Sequence, residues 1–369
     1  MEGSRVDGLD SFRTRTPTRQ CLSHQTATSG HTYADLHLRC SAGRSFTRKV
    51  DVMKSIALVL PYFGSLDRTG FFRHFLTSCA FNPSIDFLIF TDDESEWDYP
   101  DNVEVRRLPF ESLRDRVAAH FNFPISLEQP YKLCDFKVAY GEIFEEELRG
   151  YDYWGYVDAD VILGNVRSFL TDGVLNRYLK IYSRGHLTLM ENRPEVSGLY
   201  RLEDNPRIPS YRDVFSSGKS YQFDEWGGID LMFISRNLPM YDQLDFDDTD
   251  VRYAPFRPVQ RVKNSPHSAM RDICYTFENG RLVRHAEFYG EVAREDICYL
   301  HLPKRRMVDN LPERATRFTV IPDSFEPYRS VDQNFLNSIA RTGIRREYSH
   351  PARLRRRAKR IVESLRPNA

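Results

Sequence analysis

Long apolar runs, paired cysteines and net charge are all missing from this chain of 369 residues. No stretch approaches the roughly 20 apolar residues that cross a bilayer, and the first residues lack the basic start and apolar core of a secretory signal. The chain therefore reads as soluble and cytoplasmic. Its 52 basic residues equal its 52 acidic ones, which removes the overall field that would draw it to nucleic acid and leaves any partner to be recognised locally. The six cysteines (Cys21, Cys40, Cys79, Cys134, Cys274 and Cys298) contain no Cys-x-x-Cys pair or metal-finger spacing. They read as reduced, buried thiols and not as a disulfide framework.

What is present points to a globular enzyme-sized chain, with 41% hydrophobic and 13% aromatic residues. Residues 1–52 are rich in Ser, Thr, Arg, His and Gly and cannot bury enough apolar surface to offset their ordering entropy, so a disordered extension is expected there. Met53 stands directly before the first apolar run and fits a natural start, whereas a transit peptide is opposed by Glu2, Asp7, Asp10 and Asp35. Residues 53–340 read as one α/β domain and residues 341–369 as a basic amphipathic tail.

Ile56–Leu60 is a continuous apolar run stopped by Pro61, followed by helix-like spacing over Phe71–Ala80. Further strands are expected at Ile85–Phe90 and Val103–Leu108, helices at Glu111–Phe121 and Tyr131–Leu148, and a strand through Tyr153–Leu163. Alternating strands and helices imply an α/β fold with a mainly parallel sheet. In the second half, His186–Met190 and Ile297–Leu302 read as strands, Asp224–Asp230 opens an apolar stretch, and Asn279-Gly280 supplies the positive φ pair of a type I′ hairpin turn.

The most informative residues are Asp158 and Asp160, two carboxylates inside the apolar and aromatic run Tyr153–Leu163. Ionised carboxylates are not tolerated at the end of a buried strand without a compensating cation. Hard oxygen ligands suit Mg²⁺ or Mn²⁺, and a histidine added to them favours Mn²⁺, with His301 the candidate. Lys304 and Arg305 lie just beyond and could neutralise a diphosphate. These polar groups fall at the carboxyl ends of strands, where open α/β sheets bind ligands. The blander alternatives are a surface turn at Asp158/Asp160, a satisfied core histidine, an Asx turn at Asp92-Asp93, and a helix start at Asp224-Glu225.

Val157–Leu163 resembles the metal-binding Asp-x-Asp strand of the GT-A nucleotide-sugar glycosyltransferases, and Tyr131-Lys132-Leu133 is similar to the Thr-Lys-Leu of their preceding helix. Pro61–Gly64, Phe90–Asp93, Pro130–Lys137, Tyr153–Tyr156 and His301–Arg305 resemble an uncharacterised bacterial family expected to be GT-A glycosyltransferases, over about residues 54–310. The resemblance implies a GT-A fold, Rossmann-like, with a small antiparallel hairpin element in the C-terminal half. It implies Asp160 as principal metal ligand and Asp158 on metal or ribose. It also implies Lys132 near the donor phosphates or sugar, Tyr62 and Asp92 near the nucleobase, and His301 with Lys304 at the diphosphate of a UDP-linked sugar donor. In better-known retaining members a Gly and a Lys-Pro-Trp follow that histidine at longer spacing, whereas here Lys304 follows within three residues.

The implied reaction is metal-dependent transfer of a sugar from a nucleotide donor to a surface-polysaccharide or glycolipid acceptor. An inverting enzyme needs a carboxylate to take the acceptor proton, and Asp224, Glu225 and Asp230 are the candidates. A retaining enzyme needs none, and those residues would then bind hydroxyls. Two alternatives are a haloacid-dehalogenase-type phosphatase with Asp158 as nucleophile and a catalytically silent sugar-binding domain. In the tail, Leu354, Ala358, Ile361, Val362 and Leu365 share a helix face ringed by arginines, which suits either peripheral contact with the inner membrane face, where lipid-linked acceptors lie, or packing on the domain.

Overall fold

Alternation within the apolar runs decides the architecture. The computed structural model describes residues 53–259 and 270–339, so the expected extension 1–52 and tail 341–369 lie outside the described residues. β1 (Ile56–Pro61) sends Ala57 and Val59 to one side and Ile56, Leu58 and Leu60 to the other, and both sets are buried. A strand covered on both faces must be apolar throughout. β2 (Ile85–Thr91), reached through the helix α1 (Phe72–Ala80), repeats the pattern with Leu88 and Phe90 against Phe87 and Ile89. β3 (Val103–Arg107) leads into α2 (Phe110–Ala119). β4 (Tyr153–Val157) then divides Trp154 and Tyr156 from Tyr153 and Val157 in the same way.

Beyond β5 (Val161–Leu163) come β6 (Lys180–Arg184), β7 (Leu187–Glu191), β8 (Met240–Tyr241) and β9 (Asp247–Asp248). The central sheet has the order β3-β2-β1-β4-β7-β6-β8. Its first four strands are parallel, and β7 runs antiparallel between β4 and β6. The carboxyl ends of β1, β2 and β4 therefore share one edge. Because Val157 pairs with Leu187, the β6–β7 turn at Gly185-His186 arrives at that edge too. The expected α/β fold with a mainly parallel sheet is present.

The C-terminal half contributes β10 (Arg271–Glu278), β11 (Arg281–Phe288), β12 (Glu291–Asp296), β13 (Tyr299–His301), β14 (Val308–Asp309), β15 (Arg317–Ile321) and β16 (Ser324–Pro327). The Asn279-Gly280 turn has φ of 49° and 88°, as its sequence requires. The hairpin is larger than expected, forming part of a six-stranded sheet of order β12-β11-β10-β15-β16-β14. A third sheet, β5-β13-β9, joins three distant segments.

Two sequence expectations need correction. The run Tyr153–Leu163 is not one strand: β4 ends at Val157, and β5 leaves for the small sheet. The segment Tyr131–Leu148 is not one helix but a chain of short turns, interrupted at Ala139 (ψ 0°) and Phe144 (φ −109°). Within it, Gly141 sits where any Cβ would overlap the indole of fully buried Trp154, so the backbone itself packs against that ring. Among the described residues Cys79, Cys134, Cys274 and Cys298 are free thiols, and no helix is long and apolar enough to cross a membrane.

Buried histidines give the fold an acid limit. Burial pushes His74 down to about 4, against the pull of Asp309, and burial with help from Arg294 and Arg281 holds His285 at about 4. Both stay neutral in the folded chain while the unfolded chain takes up protons near 6.5. Stability is thus fully present above pH 6.5 and declines as pH falls towards 4. Thermal melts across that window are expected to show the decline, and a His74→Gln, His285→Gln double variant to flatten it. An unchanged slope in the double variant would remove the histidines as its cause.

Candidate active site

A cleft of about 740 Å³ opens at the carboxyl edge of the central sheet. Its floor is the break between β4 and β5, where Asp158-Ala159-Asp160 crosses from one sheet to another. The Asp158 amide donates to the His186 carbonyl at 3.0 Å, tying the break to the β6–β7 turn. Antiparallel pairing of β13 with β5 sets His301 opposite Val161 and brings His301 Nε2 to 3.3 Å from Asp160 Oδ1. The amides of Leu302 and Lys304 donate to the Asp160 carbonyl and carboxylate at 2.9 and 3.3 Å. Lys304 has φ +54°, a left-handed conformation uncommon outside glycine, at the point where the chain turns over Asp160.

Asp158, Asp160 and His301 each present a ligand atom within 4.8 Å of the others. Two carboxylates and an imidazole form a donor set that fits Mn²⁺, or Mg²⁺ with a less suited nitrogen. His186, Asp248 and His301 are equally close together. The two rings there are stacked, with centroids 4.1 Å apart and planes 28° from parallel, so their in-plane lone pairs do not converge on one ion. The first set is therefore the candidate metal centre.

Charge inside the cleft is strongly coupled. Burial lowers the His301 pKa, but Asp160 and Asp248 outweigh it and hold the imidazole at about 10. Burial raises Asp160, yet His301 and the Lys304 amide bring it below the usual carboxylate range. Lys137 Nζ donates to Asp158 Oδ1 at 2.6 Å and to the Gly185 carbonyl at 2.7 Å, and stands 3.7 Å from Asp224 Oδ2. Asp224 is pushed up to about 7, first by burial and then by Glu225 and Asp158, with Lys137 opposing. Glu225 Oε1 accepts from the Gly185 amide at 3.0 Å. A Cβ at Gly185 would overlap the Asp224 carboxylate and crowd Glu225 Oε1, so any other residue must push the Asp224 carboxylate aside.

Of the residues singled out in the sequence, Tyr62, Asp158, Asp160, Asp224, Glu225, His301 and Lys304 all line this cleft. Three do not. Lys132 is buried beneath it, where its ammonium bonds Asp135 at 2.8 Å and the carbonyls of Val214 and Lys219, leaving nothing for a phosphate. Asp230 faces the interior, paired with buried Lys180 at 2.9 Å, because the helix Ile229–Ser235 turns it away. Asp92 is exposed beside the cleft and accepts the Gly64 amide at 2.7 Å, holding the loop that carries Tyr62. Arg305 lines the wall, but its guanidinium is spent on the carbonyls of Asp250, Tyr253, Ala254 and Pro322.

Sequence reasoning missed Lys137, Gly185 and Asp248. Lys137 lies five residues past Lys132 on the broken helical path, and its ammonium meets Asp158. Asp248 Oδ1 lies 2.8 Å from His301 Nδ1. Its one trace in the sequence is an acidic pair, Asp247-Asp248, on a two-residue strand.

A family model described as a family of unknown function, DUF6625, matches residues 58–329. The chain belongs to that family. The DUF6625 match runs from β1 to just past β16 and takes in every residue of the cleft. No curated protein matches the sequence. Among solved structures the chain is similar to the galactosyltransferase LgtC in complex with donor and acceptor sugar analogues, at 11% identity and a TM-score of 0.35, over 67% of this chain and 87% of that one. It is also similar to the glycosyltransferase GlyE of Streptococcus pneumoniae TIGR4, at 10% identity and a TM-score of 0.28, over 52% of this chain and 46% of that one. Overlap of this size says nothing about chemistry.

The buried position of Lys132 gives a direct test. Lys132→Met leaves the carboxylate of fully buried Asp135 with the amides of Tyr221 and Phe223 but without its counter-charge, a loss worth about 3–5 kcal/mol. Urea unfolding should show it, and a change below about 1 kcal/mol would mean that the ammonium does not hold this loop.

Proposed function

We propose that this DUF6625 chain is a divalent-metal-dependent glycosyltransferase of the GT-A type. It would move a sugar from a nucleoside diphosphate donor, UDP-linked, to a hydroxyl of a polysaccharide or glycolipid acceptor. The observation that carries the reading is the convergence of Asp158, Asp160 and His301, with Lys304 above them, in one cleft at the carboxyl edge of a parallel sheet. The motif resemblance points to the same chemistry.

Asp158, Asp160 and His301 would hold the cation, which when bound supplies charge neutralisation to the donor diphosphate and to the departing nucleoside diphosphate. Lys304 adds an exposed positive charge at the mouth, its ammonium 5.5 Å from the exposed ring of Tyr131. Tyr62 lines the wall beside Arg68 and suits contact with the nucleotide. In the transfer the anomeric carbon loses its bond to the diphosphate oxygen and gains one to the acceptor oxygen, whose proton must leave. Asp224, poised near 7, is suited to accept it in an inverting reaction. Glu225 is held by the Gly185 amide and would orient the acceptor or donor hydroxyls.

Titrating the chain with UDP and GDP, with and without Mn²⁺, and following nucleoside diphosphate release from a nucleotide-sugar panel tests this reading. Metal-dependent nucleotide binding that disappears in Asp160→Ala is expected. Hydrolysis of phosphate esters without nucleotide binding would overturn the reading in favour of a phosphatase. Gly185→Ala should cut transfer about 100-fold, since misplacing a reacting group by about 1 Å costs that much, with the melting temperature nearly unchanged. Full activity in that variant would show that the spacing of Asp224 and Glu225 is immaterial.

A further inference from the structure

We infer that Asp248 is a positioning residue for the metal centre, setting cation affinity through His301 without touching the cation. The inference rests on the metal-binding reading above and goes beyond it to a residue outside the cleft lining. β9 runs parallel to β13 with Asp248 in register with His301, so the side-chain contact follows from backbone pairing. Asp248 Oδ1 lies 2.8 Å from His301 Nδ1, while His301 Nε2 faces Asp160 at 3.3 Å. A carboxylate on Nδ1 keeps a proton on that nitrogen, so that a cation would displace the proton from Nε2 and take Nε2 as its ligand atom. An imidazole held in this way is a stronger and better-aimed ligand.

The neighbours of Asp248 reinforce this role. Its other oxygen lies 3.8 Å from His186 Nε2, and the His186 ring is stacked on His301, so the imidazole is fixed on its face as well as at its edge. Thr249 donates to the His301 carbonyl from both its amide, at 3.2 Å, and its hydroxyl, at 3.0 Å. Asp247 turns the opposite way and binds Arg284 at 2.6 Å and the Tyr275 hydroxyl at 2.9 Å. Adjacent acids on one strand thus serve different ends, one holding the metal-site histidine and the other the C-terminal sheet.

The test is Mn²⁺ binding to the full chain, read from the EPR signal of free ion, alongside melting temperature. Wild type is expected to bind and Asp160→Ala to lose binding. Asp248→Asn, which keeps the shape, should bind roughly 10- to 100-fold more weakly. Asp247→Asn should lower the melting temperature and leave Mn²⁺ affinity within about twofold of wild type. Wild-type affinity in Asp248→Asn, with Asp160→Ala still defective, would overturn the role of Asp248 and leave the metal site standing. Equal weakening in Asp247→Asn and Asp248→Asn would overturn it by showing a general loosening of β9. If wild type takes up no Mn²⁺, the metal-dependent reading itself falls, and this role with it.

Discussion

Antiparallel pairing of β5 with β13 is the contact on which the site depends. It places His301 one residue from Asp160 by backbone register and not by the reach of flexible side chains. A slip of one residue would turn every side chain of the strand to the other face. Burial on both faces prevents the slip. Ile162 and Leu300 pack with Phe277 and Phe318 of the C-terminal sheet, while Val161, Leu163 and Tyr299 pack with the core beneath the central sheet. The small sheet is wedged between two hydrophobic cores, and its end carries the carboxylate and the imidazole.

Three ion pairs are buried elsewhere in the fold: Lys132 with Asp135, Lys180 with Asp230, and Arg284 with Asp247. Pairs of this kind cost nearly as much to desolvate as they return, so their net contribution to stability is small. Their effect here is directional. Asp135 also receives the amides of Tyr221 and Phe223, which fixes the loop that delivers Asp224 to the cleft. A segment with little secondary structure of its own thereby acquires a defined place.

The sequence revealed those parts of the site that short-range pattern can encode. Two acids in an aromatic strand, and a histidine followed by lysine after another strand, are visible because burying charge is expensive and strand ends are where sheets bind ligands. The Lys132 expectation rests on motif resemblance, which cannot show that the ammonium is buried on Asp135 and two carbonyls, while Lys137, one turn further along a broken helical path, is the lysine that meets Asp158. Asp230 looked catalytic because its Trp-Gly-Gly context is visible while its partner Lys180 is distant in sequence. Asp248 was invisible for the same reason: its meaning comes from a parallel pairing with residues more than fifty positions downstream.

The small sheet also has a consequence in time. A ribosome at about 5–20 residues per second needs on the order of ten seconds to pass from Asp160 to His301. Through that interval β1, β2 and β4 can already pair, while the two carboxylates stand at the sheet edge without the imidazole that completes their cradle. The candidate cation site can thus be completed only after His301 has been made, and a chain terminated before that point carries the two carboxylates without their imidazole.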